Sequence, residues 1–398
     1  MERTYIKRKV EETLLEVAKY FPVIIVTGPR QAGKSTLIKH LFPNFEHCSL
    51  EDYDVRSVAI DDPKRFLQPT AKGMVIDEVQ NVPQLLSYIQ GIVDNQPDRR
   101  YVLSGSANFN MLRSVKQSLA GRCFIVDLLP LSIEEVADSI ASTTTNQLLY
   151  NGLYPSVQTG ERPAKFMYPA YVRTYLERDV QELINVKNIM MFNTFLKICA
   201  GRIGQIFNVS QVATEVGVSS NTISEWLSIL ETSYVVFRLH PYFKNINKRL
   251  IKSPKLYFCD TGLACHLLGI ESDKELENHS MRGALFENLI VLEALKHRFN
   301  RAKENNLCFY RDSNQNEIDL IMQEKDMLKG IEIKSAMTYH TSFEKALRKM
   351  ESLVADKIAE KAVVYDGDFE SEVGEIKILN YRHLSAFLQT LSFVVESK

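Results

Sequence analysis

The apolar run Val23-Ile-Ile-Val26 leads into Gly28-Pro-Arg-Gln-Ala-Gly33-Lys34-Ser35-Thr36, and a segment of helical character starts at Lys34. A GxxxxGK[ST] stretch between strand and helix constrains the fold more than any other feature of the chain. Its glycines let backbone N–H groups turn inward, and the following helix start adds positive potential, so the loop forms a cradle for anionic oxygens. Gly28, Pro29, Arg30, Gln31, Ala32, Gly33, Lys34, Ser35 and Thr36 are therefore candidate phosphate-binding residues. Lys34 is placed to reach the outer phosphates of ATP and Ser35 to ligate Mg²⁺.

Around this loop, buried apolar runs alternate with helical patterns: FPVIIVTG, GMVIDE, RRYVLSGS and RCFIVDLLP are separated by segments such as VPQLLSYIQGIVDN. In that last segment Val82, Leu85, Leu86, Ile89 and Val93 repeat at helical spacing. Continuous apolar strands alternating with helices predict an α/β fold with a parallel sheet covered on both faces. MVIDE ends in Asp77 and Glu78. Asp77 is expected to hold Mg²⁺ or its water, and Glu78 to activate an attacking water. Ser104 and Ser106 end the next strand and are candidate sensors of the terminal phosphate. Arg122 is a candidate arginine finger acting in trans on a neighbouring subunit, and Arg178 a candidate for a similar role.

Beyond Pro130 the strands stop. The expected organisation is an ATPase core over 1–130, a helical lid over 131–190, a winged-helix domain over 191–278 and a C-terminal α/β domain over 279–398. Residues 1–20 read as one helix. VSQVATEV, Gly217 and SSNTISEWLSILE read as helix–turn–helix, with Ser219 or Ser220 capping the second helix and YVVFRL as a following strand.

GPRQAGKST, VIDEVQ, LSGSAN, the LAGR…LLPLS stretch and YLERDV, in this order, resemble the AAA-superfamily ATPases of bacteria and archaea that carry a C-terminal domain of unknown function. FCDTGLA, GALFEN, EIDL and IEIK extend the resemblance over essentially the whole chain. It implies an ATP-binding protein with a nuclease-like C-terminus and supplies no substrate.

The C-terminal residues support that implication. Glu287 on a helix, Asp319 in EIDL and Glu332-x-Lys334 in the next apolar run resemble the PD-(D/E)xK, restriction-endonuclease-like core. Glu332 and Lys334 stand at i, i+2, on one face of a strand, and a short turn returns the chain beside Asp319. Glu287, Asp319 and Glu332 are then candidate Mg²⁺ ligands, with Glu317 an alternate, and Lys334 would polarise the attacking water. Glu-x-Lys alone is a common strand pattern; the four residues in order carry the reading.

Arg238, Lys244, Lys248, Arg249, Lys252 and Lys255, with Tyr242 and Phe243 among them, are expected to grip nucleic-acid backbone within residues 238–255. The net charge of −1 gives no support from bulk electrostatics, and Glu225 and Glu231 on the second helix argue against tight base readout. The charged N-terminus has no signal-peptide core, and no run approaches the roughly 18 apolar residues that span a bilayer. Six scattered cysteines without a CxxC pair suit a reducing cytoplasm. Cys259, Cys265 and His266 read as packing. The leading expectation is an Mg-ATP-dependent, nucleic-acid-processing ATPase with the capacity to form homo-oligomers. The rival is an ATP-controlled switch or scaffold with an inert C-terminal module.

Overall fold

The computed structural model describes residues 5–68, 72–105, 115, 118–176, 189–242, 253–314, 316–324, 327–354 and 357–389. They form two compact units. One runs to Leu131 and takes in Ile229–Val235 and Phe299–Lys303; the other comprises Ser132–Ser228, Val236–Arg298 and the chain from Glu304.

The first unit is built on five strands: β1 (Val23–Thr27), β2 (Glu46–Ser49), β3 (Gly73–Asp77), β4 (Arg100–Ser104) and β5 (Cys123–Asp127). Their order is β2-β3-β4-β1-β5, and every pairing is parallel. The β1 residues explain why both faces are covered. Val23 and Ile25 join the core that contains Leu85, Leu86, Ile89 and Val93 of the helix Leu85–Asn95. Ile24 and Val26 join the opposite core, with Leu14 of the N-terminal helix, Val10 at its start, and Leu37 and Ile38 of the helix Lys34–Leu41. Alternate side chains leave a strand on opposite faces, so a run of four apolar residues feeds two cores. Each such side chain stabilises the unit by roughly 1.5–3 kcal/mol when fully buried.

The N-terminal helix is shorter than the sequence suggests, spanning Glu11–Tyr20. Glu11 Oε1 accepts from Arg8 N at 2.6 Å and Tyr5 OH at 2.8 Å. The Arg8 guanidinium itself is drawn away to one backbone carbonyl of the phosphate loop, Ala32 O, and to Leu129 O.

The second unit carries β6 (Val236–Pro241), β7 (Lys255–Phe258), β8 (Leu307–Arg311), β9 (Glu317–Glu324), β10 (Met327–Lys334), β11 (Lys357–Tyr365), β12 (Ser371–Val373) and β13 (Ile376–Asn380). They lie in one sheet of order β12-β13-β11-β10-β9-β8-β6-β7. Thus β6, expected as part of a separate winged-helix domain, pairs in parallel with β8 through His240↔Cys308 and Pro241↔Phe309. An isolated two-stranded ribbon is marginal in water; joining β8 extends its ladder. Residues 132–176, expected as a lid over the ATPase core, likewise fall within this second unit.

The helix Val209–Val216 is capped by Asn208 and ends at Gly217, whose φ of 82° is the left-handed conformation glycine tolerates. Ser219 Oγ accepts from Thr222 N at 3.1 Å, making Ser219 the cap of the next helix, Ser220–Thr232. Trp226 of that helix packs between Phe192 and Phe195. The helix Arg282–Phe299 is buried around most of its circumference. Its Asn288 donates to Phe258 O at 2.9 Å and accepts from Phe258 N at 2.7 Å, completing the edge of β7.

Candidate functional site

Because β1, β3 and β4 are parallel neighbours, their C-terminal ends deliver the phosphate loop, Asp77 and Ser104 to one edge of the sheet, where open α/β sheets bind ligands. The loop has little steric freedom. Gly28 has φ of 149°, and a Cβ there would stand 2.1 Å from Leu128 O. Gly33 has φ of 92° and Gln31 of 64°. Lys34 folds over its own loop, donating to Gly28 O at 3.0 Å and Pro29 O at 2.8 Å. Burial pulls the Lys34 ammonium down to about 8, against the opposing pull of Glu78 and Asp77.

Ser35 Oγ donates to Asp77 Oδ2 at 2.7 Å, and the buried Ser104 hydroxyl donates to Asp77 Oδ1. The serine and carboxylate oxygens suited to a hard divalent cation are thus already side by side, and the residues present fit Mg-nucleotide. Glu78 adopts φ 56°, ψ 46°, a left-handed conformation uncommon outside glycine. Such strain costs about 1–3 kcal/mol and concentrates at functional sites. The Gln80 amide donates to Glu78 Oε2.

Several contributors escaped the sequence reading. Arg8, almost fully buried, donates to Ala32 O at 3.0 Å and Leu129 O at 2.8 Å, bracing the loop from the N-terminal segment. Thr27, the residue before Gly28, donates to Asp127 Oδ1 at 2.8 Å, and Tyr234 donates to the same carboxylate. Gln80 stood in the VIDEVQ motif without a role. Arg8 and Tyr234 carry no local signal, because their partners lie far away in sequence.

Arg122 precedes β5, at the end of the sheet opposite the phosphate loop, and forms an exposed ion pair with Asp94 at 2.6 Å. It does not reach the loop of its own chain. Ser106 and Arg178 lie outside the described residues.

In the second unit, Asp319, Glu332 and Lys334 come together as their spacing suggests. The β9–β10 ladder extends to Leu320↔Ile331; beyond it Asp319 Oδ2 accepts from Ile333 N at 2.8 Å. Lys334 Nζ lies 2.6 Å from Glu332 Oε1 and 3.5 Å from Asp319 Oδ2. Burial, and then Asp319, push the Glu332 carboxyl up to about 8 against the pull of Lys334. Glu332 Oε2 is buried and has no hydrogen-bond partner among the described residues. Glu287 approaches from its helix but is held elsewhere, by Lys255 Nζ at 3.1 Å and Tyr257 OH at 2.6 Å. Burial and Asp319 raise its carboxyl above the ordinary range. Among the described residues, no group of three or more His, Cys, Asp or Glu side chains has metal-holding geometry.

The expected phosphate grip at 238–255 loses two members. Lys255 is buried and paired to Glu287 and Glu317, and Tyr242 belongs to the core around Val363 and Tyr365. The intervening Phe243, Lys244, Lys248, Arg249 and Lys252 lie outside the described residues. All six cysteines are free thiols. Among the described residues, no helix is long and apolar enough to cross a membrane.

Residues 20–137 match the family described as an AAA domain, so the first unit holds an AAA-type P-loop ATPase domain. Residues 142–274 and 282–384 match two domains of unknown function, DUF8612 and DUF4143. Uncharacterized proteins of Mycobacterium tuberculosis and Mycobacterium bovis are each 33% identical over 353 residues, covering 87% of this chain and 77% of theirs. The chain belongs to the family of these mycobacterial proteins. An uncharacterized Haemophilus influenzae protein is 24% identical over 305 residues, 68% of this chain and 74% of its own. Among solved structures, the Walker-type ATPase PABY2304 of Pyrococcus abyssi is similar with a TM-score of 0.46 and 12% identity, covering 66% of this chain and 96% of that one.

Proposed function

We propose that this protein hydrolyses Mg-ATP in its AAA unit and couples turnover to nucleic-acid binding or processing by its C-terminal half. The observation that carries the ATPase reading is the Ser35–Asp77 hydrogen bond of 2.7 Å beside the buried Lys34. Ser35 and Asp77 would hold Mg²⁺, directly or through water, and Lys34 with the loop N–H groups would hold the phosphates. The ion supplies charge neutralisation when bound. Glu78, oriented by Gln80, takes the proton of the attacking water, and Ser104 orients Asp77. Lys34→Ala should abolish ATP binding. Glu78→Gln should retain it while losing roughly 10²–10⁴-fold in turnover; wild-type turnover in the Gln variant would remove Glu78 from this role.

For the C-terminal half, the helix Arg282–Phe299 followed by β8, β9 and β10, with Asp319, Glu332 and Lys334 converging, supports a restriction-endonuclease-like core. The orphaned Glu332 oxygen supports a divalent cation held by Asp319 and Glu332, with Lys334 polarising water. The helices Val209–Val216 and Ser220–Thr232 with β6 and β7 support a winged-helix arrangement. Lys244, Lys248, Arg249 and Lys252 remain the proposed phosphate contacts. Reversing Lys248, Arg249 and Lys252 to Glu should flatten the salt dependence of binding by about one unit of slope per lost contact.

A second reading, an ATP-controlled switch or scaffold with an inert C-terminal module, is favoured by one observation: lysines already neutralise most of the cluster's carboxylates. Cleavage assays on DNA and RNA with Mg²⁺ or Mn²⁺, with and without ATP, separate the two. Cleavage lost in Asp319→Ala supports the nuclease, and its absence under every condition supports the switch.

A further inference from the structure

The four carboxylates of the C-terminal cluster divide into two pairs, each with its own lysine. Lys255 Nζ lies 2.6 Å from Glu317 Oε1 and 3.1 Å from Glu287 Oε1. Its residue is only 2% exposed, and the ammonium stands 5.3 Å from the centroid of the Phe309 ring. Glu287 also accepts from Tyr257 OH at 2.6 Å, and both its oxygens lie 3.4 Å from where a Cβ on Gly204 would stand. Glu317 has a second cation, Arg311, at 3.7 Å. The other pair, Asp319 and Glu332, shares Lys334, and here alone among these carboxylates does a buried oxygen, Glu332 Oε2, have no partner among the described residues.

We propose that Lys255 is a resident cation occupying the place a metal ion would take between Glu287 and Glu317. The cluster then accepts one divalent cation, on the Asp319 and Glu332 side, and Glu287 is a positioning residue rather than a ligand. The single-ion clause rests on the metal reading of Asp319 and Glu332 given above; the resident-cation clause does not. The charge arithmetic supports both. A buried carboxylate persists in its charged form only when paired, and an ammonium within hydrogen-bond reach of two carboxylates satisfies them without an ion. Removing Lys255 leaves Glu287 and Glu317 facing each other with Asp319 nearby, so they must take up protons or recruit a cation.

The test is Mn²⁺ titration of the nucleotide-free full chain by calorimetry, in which any contribution from the phosphate loop is common to every variant. Asp319→Asn should weaken Mn²⁺ binding at the cluster by about tenfold or more, while Glu287→Gln should stay within about threefold of wild type. Lys255→Met should bind one further Mn²⁺ per chain and gain more thermal stability from Mn²⁺ than wild type does. A tenfold loss in Glu287→Gln, or a Lys255→Met protein with unchanged Mn²⁺ count and no more Mn²⁺-dependent stabilisation than wild type, overturns the proposal. If Lys255→Met folds only when Mn²⁺ is supplied, the proposal stands; if it fails to fold with and without Mn²⁺, the Glu287→Gln comparison decides. Equal binding by wild type and Asp319→Asn defeats the metal reading of Asp319 and Glu332 separately, and the Lys255→Met gain still reports on the resident cation.

Discussion

Nucleotide binding should take up a proton at alkaline pH, because burial in the phosphate loop disfavours the charge on its own lysine. Lys34 is 6% exposed, and burial lowers its ammonium from 10.5 to about 8. That displacement corresponds to about 3 kcal/mol between the charged and neutral forms. The sign follows from proton counting. Below about 8, Lys34 is charged in both the folded and the unfolded chain, and the folded state carries the burial penalty. Between about 8 and 10.5 the unfolded chain binds more protons, so the nucleotide-free protein gains stability as pH rises through this window. Polyanionic nucleotide reverses the balance by favouring the charged form.

At about pH 9 Lys34 is mostly neutral in the free protein, so binding should take up most of a proton, and only a minor fraction of one near neutral pH. Affinity should fall severalfold over the same interval. Calorimetry in two buffers of different ionisation enthalpy reads the proton count directly. Zero uptake at pH 9 with affinity unchanged from pH 7.5 would refute the argument that Lys34 is charged by the ligand.

Other outcomes follow from the same geometry. Gly28→Ala should cost about 2–4 kcal/mol and nucleotide binding with it, since the new Cβ meets Leu128 O at 2.1 Å on a positive-φ backbone; thermal melts and a fluorescent-nucleotide titration check both. Arg282 bonds Asp366 at 2.6 Å, Ser335 O at 2.7 Å and Asn146 at 2.8 Å. Arg282→Met therefore leaves the buried Asp366 without this cation, with the Thr145 hydroxyl still donating to it, and should destabilise the second unit by about 3 kcal/mol in urea denaturation. Arg122→Ala should leave the melting temperature unchanged, because its ion pair with Asp94 is exposed. If Arg122 acts on a neighbouring subunit, the same variant should lower turnover and abolish its rise with protein concentration; unchanged turnover at every concentration would remove the finger role.

The geometry of the candidate nucleotide site was legible because the chemistry proposed for it demands particular residues at fixed local spacing. A phosphate cradle needs glycines a few residues apart ahead of a helix, and the metal-binding acid must end a buried strand. Gly28 to Thr36 and Asp77 could therefore be placed before any fold was known, and parallel strand order then brought Ser35 and Asp77 to 2.7 Å. Helix caps were legible for the same reason: Ser219 needs only the backbone three residues ahead.

Long-range partners were decided by tertiary structure alone. Arg8 reads as one more charge in a charged helix until it is found on Ala32 O and Leu129 O. Lys255 reads as the end of a basic wing until β7 turns it toward Glu287 and Glu317. Likewise β6 carries a two-residue polar–apolar rhythm that fits a wing or a larger sheet equally well, and only its pairing with β8 places it in a larger sheet as well. Local spacing specifies what a residue can do chemically. Which charge it meets is set by the burial of segments far apart in the chain, where a lysine's free energy depends on the carboxylates the fold has placed around it.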